Sequence, residues 1–333
     1  MSRTPFRPAG LVAGLAALAL GLSACGGSAD QGAPAQDQQA PEQQQLPVVA
    51  STDAWGSVAR AIGGNFVRVE PIIDSPGQDP HGYEATPRDA TTIGDGRLIL
   101  RNGGGYDDFM TGLIDASGNA APVIDAVQVS GLGDAGDAEG AAAGHEHGHD
   151  EAGHAHGGSN EHVWYSPATV EKVGQALARE LGTLDPANAQ YYSTNAQALS
   201  GGIAQLTSKA TDIGRQHPGA RVVVTEPVPE YLLDAAGVQN VTPQEFSSTV
   251  EEGTDPPAAV VAQTLGLFGA QPPVDALVLN GQTQSAATDQ VRDAAEQAGV
   301  PVVEMSETLP DGVTDYMQWM NTNLDALDGA LTR

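Results

Sequence analysis

The sequence predicts an α/β protein of two lobes, each a mainly parallel four-stranded sheet flanked by helices. Between residues 47 and 124, short apolar segments of strand character alternate with helical segments. The same alternation returns after residue 217, so the second part of the chain repeats the plan of the first. Strands that alternate with helices are typical of a parallel sheet with helices on its faces. The length of 333 residues is sufficient for two such domains.

Residues 1–25 have the pattern of a lipoprotein export signal. Arg3 and Arg7 precede an apolar run over residues 11–22, which is shorter than a membrane-spanning helix. The run ends in Leu-Ser-Ala-Cys-Gly around Cys25, which resembles a bacterial lipoprotein cleavage site. We therefore expect Cys25 to become the lipidated first residue of the mature chain. It is the only cysteine, which excludes an intrachain disulfide and a multi-cysteine zinc site.

Residues 26–46 have the composition of a flexible tether. They are mostly Gly, Ala, Pro, Gln and Asp, without apolar periodicity. A lipid anchor followed by a polar tether would hold a soluble body just outside a membrane. We therefore expect the protein to be extracytoplasmic and attached to the cell membrane.

Residues 47–186 are predicted to form the first lobe. Its predicted strands cover residues 48–52, 66–73, 97–101 and 121–124. Its predicted helices cover residues 53–62, 86–94, 106–116 and 166–184. The pair Thr86-Pro87 is a helix start, with Thr86 as the N-cap and Pro87 as the first helical position.

Residues 140–160 interrupt this alternation with a histidine-rich loop. The surrounding run is mostly Gly, Ala, Asp, Glu and His, which is too polar to bury a core. The clustered histidines are His145, His147, His149, His154 and His156. Imidazoles so closely spaced can collect zinc, copper or nickel. The same composition fits a solvated loop without a required role, and the sequence leaves both interpretations open.

Residues 187–216 form a long helical stretch that contains Gly201, Gly202 and Gly214. Each glycine lowers helix propensity by about 1 kcal/mol relative to alanine, so the pattern allows a bend or break near Gly201. The second lobe follows over residues 217–333. Its predicted strands cover residues 221–225, 275–279 and 301–304, and its helices end near residues 237, 269, 298 and 331.

The charge of the chain excludes several function classes. The formal net charge is -28, from 14 basic and 42 acidic residues, so nucleic acid and anionic membrane surfaces would repel the protein. The only lysines are Lys172 and Lys209, and neither lies in a phosphate-binding Gly-x-x-x-x-Gly-Lys loop. Nucleotide hydrolysis is therefore not expected.

Two runs place a histidine beside rigid or aromatic residues. In the run QDPHGYEATPRD (78–89), Pro80 restricts the chain, so His81 lies at a stiff turn in a loop before the helix start at Thr86. In the run NEHVWYSP (160–167), His162 precedes Trp164 and Tyr165.

These runs resemble the first two ligand motifs of the metal-specific solute-binding proteins of ABC importers. The resemblance covers about residues 47–333. It implies two α/β lobes with a metal ion at their interface, joined by a long rigid helix for which residues 187–216 are the candidate. It also implies that His81 and His162 bind the metal, that aromatic residues pack around the site, and that the lobes move little on binding.

The resemblance implies two further ligands. Glu226 stands where a strand ends and a helix begins, the usual place for ligand groups in parallel sheets, and it matches the third ligand position of the family. At the fourth position, where family members often have Asp, the nearest residue by offset is Gln284. An amide is a poor zinc ligand, so water, the second oxygen of Glu226, or Asn280 or Gln282 through water could take this place.

The resulting interpretation is a receptor that captures Zn2+ and delivers it to the permease of an ABC importer. Two imidazoles and one carboxylate form a credible zinc site. The set favours zinc over manganese, because manganese prefers more oxygen donors. Manganese remains the alternative, since Glu226 stands where manganese-type members have Glu. The expected partners are the metal ion, the permease and the membrane through the lipid anchor, and we expect a monomer.

Two other function classes stay open on the sequence. A surface metal buffer or adhesin would use the histidine-rich loop as its active part. A zinc hydrolase could use the same three ligands with a water molecule. The sequence places no His-Glu-x-x-His motif on a predicted helix and has no Gly-x-Ser-x-Gly turn, so we do not expect an enzyme.

Overall fold

The computed structural model describes residues 45–76, 78, 80–132 and 160–332. The predictions for the export signal, for Cys25 and for nearly all of the tether lie outside these residues. So do those for the five clustered histidines between residues 145 and 156.

The first lobe begins at Leu46. Its elements are β1 (Leu46–Thr52), α1 (Asp53–Gly63), β2 (Val67–Ile73), α2 (Pro87–Asp95), β3 (Leu98–Arg101), α3 (Asp108–Ser117), β4 (Val123–Asp125), α4 (Ala126–Ser130) and α5 (Pro167–Leu184). A short 3-10 turn, Pro186–Asn188, leads into the long helix α6 (Ala189–Gln216).

The second lobe follows a similar alternation of strands and helices. Its elements are β5 (Arg221–Val224), α7 (Glu230–Ala235), β6 (Gln239–Asn240), α8 (Gln244–Glu251), α9 (Ala258–Gly266), β7 (Ala276–Asn280), α10 (Ala286–Gln297), β8 (Val302–Met305) and α11 (Tyr316–Leu331). The two-residue strand β6 and the helix α8 lie in a stretch to which the sequence pattern assigned no element.

Each lobe contains one four-stranded sheet, and the two sheets have the same topology. The strand orders are β2-β1-β3-β4 and β6-β5-β7-β8. Every neighbouring pair is parallel. The predicted fold class, two α/β lobes with parallel sheets, is confirmed. In such sheets the loops that follow the carboxyl ends of the strands form the binding edge.

Helix α6 runs without a break through all three of its glycines. Its 28 residues correspond to a length of about 42 Å. Gly201 is exposed and has open space around it, so its only cost is conformational. Gly214 instead lies against the backbone of Ala236, where a side chain would not fit. The break that the glycine pattern allowed near Gly201 does not occur.

One apolar cluster extends through both lobes. It includes Val48 of β1, Leu206 of α6, Val222 of β5 and Leu324 of α11. Because the same cluster packs on both sheets, α6 and α11 join the lobes through a continuous core. Within the described ranges, no helix combines the length and apolar character needed to cross a bilayer.

Two of the three glycines of α6, Gly201 and Gly214, provide a matched test of this packing. Gly201→Ala is expected to stabilise the protein by about 0.5–1 kcal/mol, because alanine favours the helix and nothing obstructs its methyl group. Gly214→Ala is expected to destabilise it by about 1–3 kcal/mol, because the methyl group would overlap the carbonyl oxygen of Ala236. Urea unfolding of both variants and the wild type measures the difference. Equal effects would contradict the close approach of α6 to Ala236.

Candidate metal centre

The candidate ligands lie on loops at the carboxyl ends of strands from both sheets. His81 follows β2, Glu226 follows β5, Asn280 ends β7 and Glu307 follows β8. His162 lies just before α5, at the point where the described chain resumes. The two lobes therefore contribute different chemistry, with imidazoles from the first and carboxylates from the second.

The loop of His81 is held by the start of α2. Thr86 is the N-cap of α2 and Pro87 its first residue, as predicted, and Asp89 completes a capping box. The Tyr83 hydroxyl donates to Oδ2 of Asp89 at 2.7 Å, and the Thr86 backbone N–H donates to the same oxygen at 2.7 Å. These bonds explain why the motif contains these residue types: they fix the loop on which His81 stands.

The orientation of His162 suits a metal ligand. The side chain is fully buried, and its Nδ1 lies 2.8 Å from the side-chain oxygen of Asn160. With the proton on Nδ1 donated to Asn160, the lone pair of Nε2 is available, and Nε2 makes no hydrogen bond. Burial, with a contribution from His81, holds the pKa of His162 well below its usual value, so the ring is neutral at neutral pH.

Aromatic side chains surround the two imidazoles. The ring of Tyr106 packs edge-on against His81 at 5.0 Å, and Trp164 packs against His162 at 5.1 Å. The two imidazole rings lie 6.1 Å apart, centroid to centroid. The structure thus brings together the two histidines that the sequence motifs singled out.

Glu307 completes a group of three with these histidines. His81, His162 and Glu307 each have one ligand atom within 4.8 Å of the others. Nε2 of His81 lies 3.9 Å from Oε2 of Glu307. Two imidazoles and one carboxylate are the ligand set of many zinc sites, with a fourth place for water or another carboxylate.

Glu226 lies beside this group and is connected to it through Asn280. The side-chain amide of Asn280 donates to Oε2 of Glu226 at 2.7 Å and to Oε1 of Glu307 at 2.8 Å. Both carboxylates are buried. The nitrogen of Asn280 faces the carboxylates, so this residue positions acidic ligands rather than coordinating a cation through its oxygen.

Gln284, the residue nearest the fourth position by offset, is exposed and belongs to neither group of metal-ligating side chains among the described residues. Gln282 bridges the lobes instead, since its amide nitrogen donates to the Pro76 carbonyl and to Thr308 Oγ1, both at 2.7 Å. Sequence reasoning missed Glu307. It follows the buried strand β8, so the rule that selected Glu226 after β5 could also have found it.

A second acidic residue that the sequence did not suggest is Glu251, the last residue of α8. Its Oε1 lies 3.4 Å from Nε2 of His162. Burial, with a further contribution from the carboxylates around it, raises the pKa of Glu251 to about 9. Those neighbours are Glu161, Glu226, Glu230 and Glu307. So many carboxyl groups around two imidazoles form a site in which a divalent cation would replace a bound proton.

Comparison with known proteins identifies similar chains. The family model described as zinc-uptake complex component A periplasmic (ZnuA) matches residues 48–330. The manganese-binding lipoprotein MntA of Halalkalibacterium halodurans is 26% identical over 211 residues, which span 63% of this chain and 63% of MntA, just under two thirds of its length.

Solved structures share the fold over most of their length. FpvC of Pseudomonas aeruginosa, in complex with Mn2+, is 26% identical with a TM-score of 0.65, covering 87% of this chain and 99% of FpvC. The periplasmic zinc-binding protein TroA of Treponema pallidum is 19% identical with a TM-score of 0.68, covering 87% of this chain and 100% of TroA. At that identity the likeness to TroA concerns the fold alone.

The role of Asn280 can be tested against that of Gln284. Asn280→Ala removes the amide that positions Glu226 and Glu307, so metal affinity is expected to fall about 10- to 100-fold. Gln284→Ala removes an exposed side chain, so affinity is expected to change by less than about threefold. Competition titration with a chromophoric chelator measures both. A larger loss for Gln284→Ala would place the fourth ligand on the loop after β7.

The pKa of Glu251 predicts a pH dependence of stability. Its carboxyl group has an ordinary pKa of 4.5 and a folded-state pKa of about 9, so between these values the folded, metal-free protein holds a proton that the unfolded chain has lost. The free energy of unfolding therefore decreases as pH rises through this window, and a bound cation reverses the loss. The gain in Tm on adding Mn2+ is expected to be larger near pH 8 than near pH 6.

Thermal melts of metal-free Glu251→Gln check the assignment. This variant is expected to lose less Tm between about pH 6 and pH 8 than the wild type, because it lacks the titrating carboxyl group. Glu252→Gln removes an exposed carboxylate next to it and serves as the control. An unchanged pH dependence in Glu251→Gln would show that other groups cause the effect.

Proposed function

The chain belongs to the family of ZnuA, the periplasmic component A of the zinc-uptake complex, and on that premise we propose that it is an extracytoplasmic receptor lipoprotein that captures Zn2+ between its two lobes and delivers it to an ABC importer. The family is one of solute-binding transport proteins. The main support from the geometry is the convergence of His81, His162 and Glu307 from three loops. These residues are far apart in sequence, so only the fold brings them together.

The charge of the ligand set supports binding of a divalent cation. His162 is neutral at neutral pH. Metal-bound imidazoles carry no charge, so the two carboxylates Glu307 and Glu226, when they face a bound ion, would together balance the charge of a divalent cation. A buried charge that is fully paired avoids most of the cost of leaving water. The first lobe would hold the ion through nitrogen, and the second lobe would hold it through oxygen.

The choice of metal follows from the donor atoms. Two imidazoles and one carboxylate, with a fourth oxygen from Glu226 or water, suit a four-coordinate zinc ion. Manganese is the second candidate, because Glu226 and Glu251 can raise the number of oxygen donors around the same histidines. The relative MntA is named as manganese-binding, which also supports manganese as the second candidate.

We propose the following organisation for the mature protein. The signal over residues 1–25 is removed up to Cys25, which carries the lipid anchor, and residues 26–46 form the tether. The lobes over residues 47–186 and 217–333 are joined by the helical segment 187–216. The receptor acts as a monomer that meets the importer permease at the membrane. Residues 140–160 would act as an auxiliary collecting loop through His145, His147, His149, His154 and His156.

A binding assay separates the receptor from the surface metal buffer. Wild-type protein is expected to bind one Zn2+ tightly, and His81→Ala is expected to weaken this binding by about 100-fold or more, because it removes a direct ligand. Replacing the five clustered histidines with Asn preserves the length of the loop and is expected to leave the tight site intact. Competition titration with Zn2+ and with Mn2+ provides the affinities.

Two outcomes would change the proposal. If the tight site disappears with the five histidines and survives His81→Ala, the loop is the functional part and the buffer interpretation replaces the receptor. If the wild type selects Mn2+ in competition with Zn2+, the protein is the manganese-specific receptor of the same family.

A further inference from the structure

A cavity of 980 Å³ opens next to the candidate metal centre. Its wall contains residues of both lobes, including Tyr83, Phe109, Glu161, Glu230 and Glu251. His81 also lines this cavity. Of the described residues, His162 and Glu307 are not part of the wall, and both are buried. The cavity therefore leads from solvent to His81 and ends before the buried ligands.

A second group of possible ligands lies on this wall. His81, Glu161 and Glu251 each have one ligand atom within 4.8 Å of the others. The group shares His81 with the buried group and replaces His162 and Glu307 by two half-buried carboxylates. Ligand atoms about 2.1 Å from a cation in tetrahedral geometry lie roughly 3.5 Å from one another, so small side-chain movements would close the group on an ion.

We propose that His81, Glu161 and Glu251 form an outer cation site, where a partly hydrated divalent transition-metal ion binds before it moves to the buried ligands. This inference rests on the proposed function, since it describes how the same cargo reaches its final site. We use the name outer site for these three residues, and inner site for His81, His162 and Glu307.

The position of Glu251 distinguishes the outer site from an ordinary exposed acidic cluster. Its Oε1 lies 3.4 Å from Nε2 of His162, an atom that is fully buried and makes no hydrogen bond. The unpartnered nitrogen thus points at the outer site. Glu251 is also the last residue of α8, and the carbonyl end of a helix favours a cation.

Glu161, on the wall of the same cavity, is held in place by its backbone. Its backbone carbonyl accepts a hydrogen bond from the side-chain amide of Asn102 at 2.9 Å, and Asn102 is fully buried. The indole N–H of Trp55 donates to the same side chain of Asn102 at 3.0 Å. The backbone under Glu161 is therefore fixed to the core of the first lobe.

The shared histidine permits a stepwise transfer. An ion on the outer site can exchange Glu161 and Glu251 for His162 and Glu307 while His81 stays bound. The ion then loses its remaining water molecules after protein ligands have already replaced some of them, which avoids moving a bare charge into the buried site. Removal of the outer carboxylates should therefore slow entry and release.

The equilibrium test uses the full chain with Mn2+ as the probe, because carboxylates bind Mn2+ well and the imidazole-rich loop suits other metals better. His162→Ala disables the inner site and is the background for two double substitutions. One is Glu161→Gln with Glu251→Gln. The matched control is Asp108→Asn with Glu252→Gln, which neutralises two exposed carboxylates on the wall of the same cavity.

Electron paramagnetic resonance of free Mn2+ measures the bound fraction, and circular dichroism checks the fold of each variant. His162→Ala is expected to retain one weak Mn2+ site. The Glu161/Glu251 substitutions are expected to weaken that site about tenfold or more, and the control pair by less than about threefold. If His162→Ala retains no site, or if both pairs have the same effect, the outer site does not exist.

A kinetic measurement keeps the inner site intact and does not depend on His162→Ala. In stopped-flow mixing with Mn2+, Glu161→Gln/Glu251→Gln is expected to slow association about tenfold relative to Asp108→Asn/Glu252→Gln. Equal rates would overturn the transfer path. If the wild type itself binds neither Mn2+ nor Zn2+ tightly, the proposed function fails as well. If the wild type binds the metal tightly but the outer-site variants behave like the control variants, the proposed receptor function is retained and the outer site is rejected.

Discussion

The candidate metal centre depends on a short stretch, residues 160–165, that is hydrogen-bonded to the loops carrying Glu226 and Glu307. The amide of Asn160 donates to the carbonyl of Pro227, next to Glu226, at 2.8 Å. The hydroxyl of Tyr165 donates to the carbonyl of Ser306, next to Glu307, at 2.7 Å. Between these two bonds stands His162, oriented by Asn160. The stretch that presents the imidazole therefore also fixes the loops that present the carboxylates, and the site is formed before an ion arrives.

This arrangement concentrates charge that the metal-free protein must tolerate. Several carboxyl groups surround one fully buried imidazole, and the neutral ring offers them no positive charge. Burial, together with the charge of these neighbours, raises the pKa of Glu251 to about 9, so the folded protein retains a proton where the ion would bind. The same electrostatic cost that lowers the stability of the metal-free protein raises its affinity for a divalent cation, because the cation removes the repulsion between the carboxylates.

The sequence was sufficient to predict the fold class and to single out the two histidines that the fold brings together, because strand-helix alternation and local motifs are properties of neighbouring residues. The fourth ligand position could not be predicted in the same way. Whether the loop after β7 or the loop after β8 reaches the histidines depends on how two lobes pack, and an offset along the chain cannot express this. The same holds for Gly201 and Gly214, which have the same helix propensity. Only the packing of α6 on Ala236 separates them. Glu251 was missed because α8 is only eight residues long, too short for the sequence pattern to identify it as a helix.

The continuous core limits how an ion can enter. Opening the cleft by rotating the lobes would break the apolar cluster shared by α6, α11 and both sheets, and also the hydrogen bond from Tyr316 to the carbonyl of Trp164 at 2.6 Å. Local movement costs less. The side chain of His81 is 24% exposed, whereas those of His162 and Glu307 are 0% and 2% exposed. His81 is thus the one inner ligand that solvent reaches, and its loop is held at α2 rather than by the shared core. Metal exchange by movement of this loop, with both lobes in place, is the path that the packing allows.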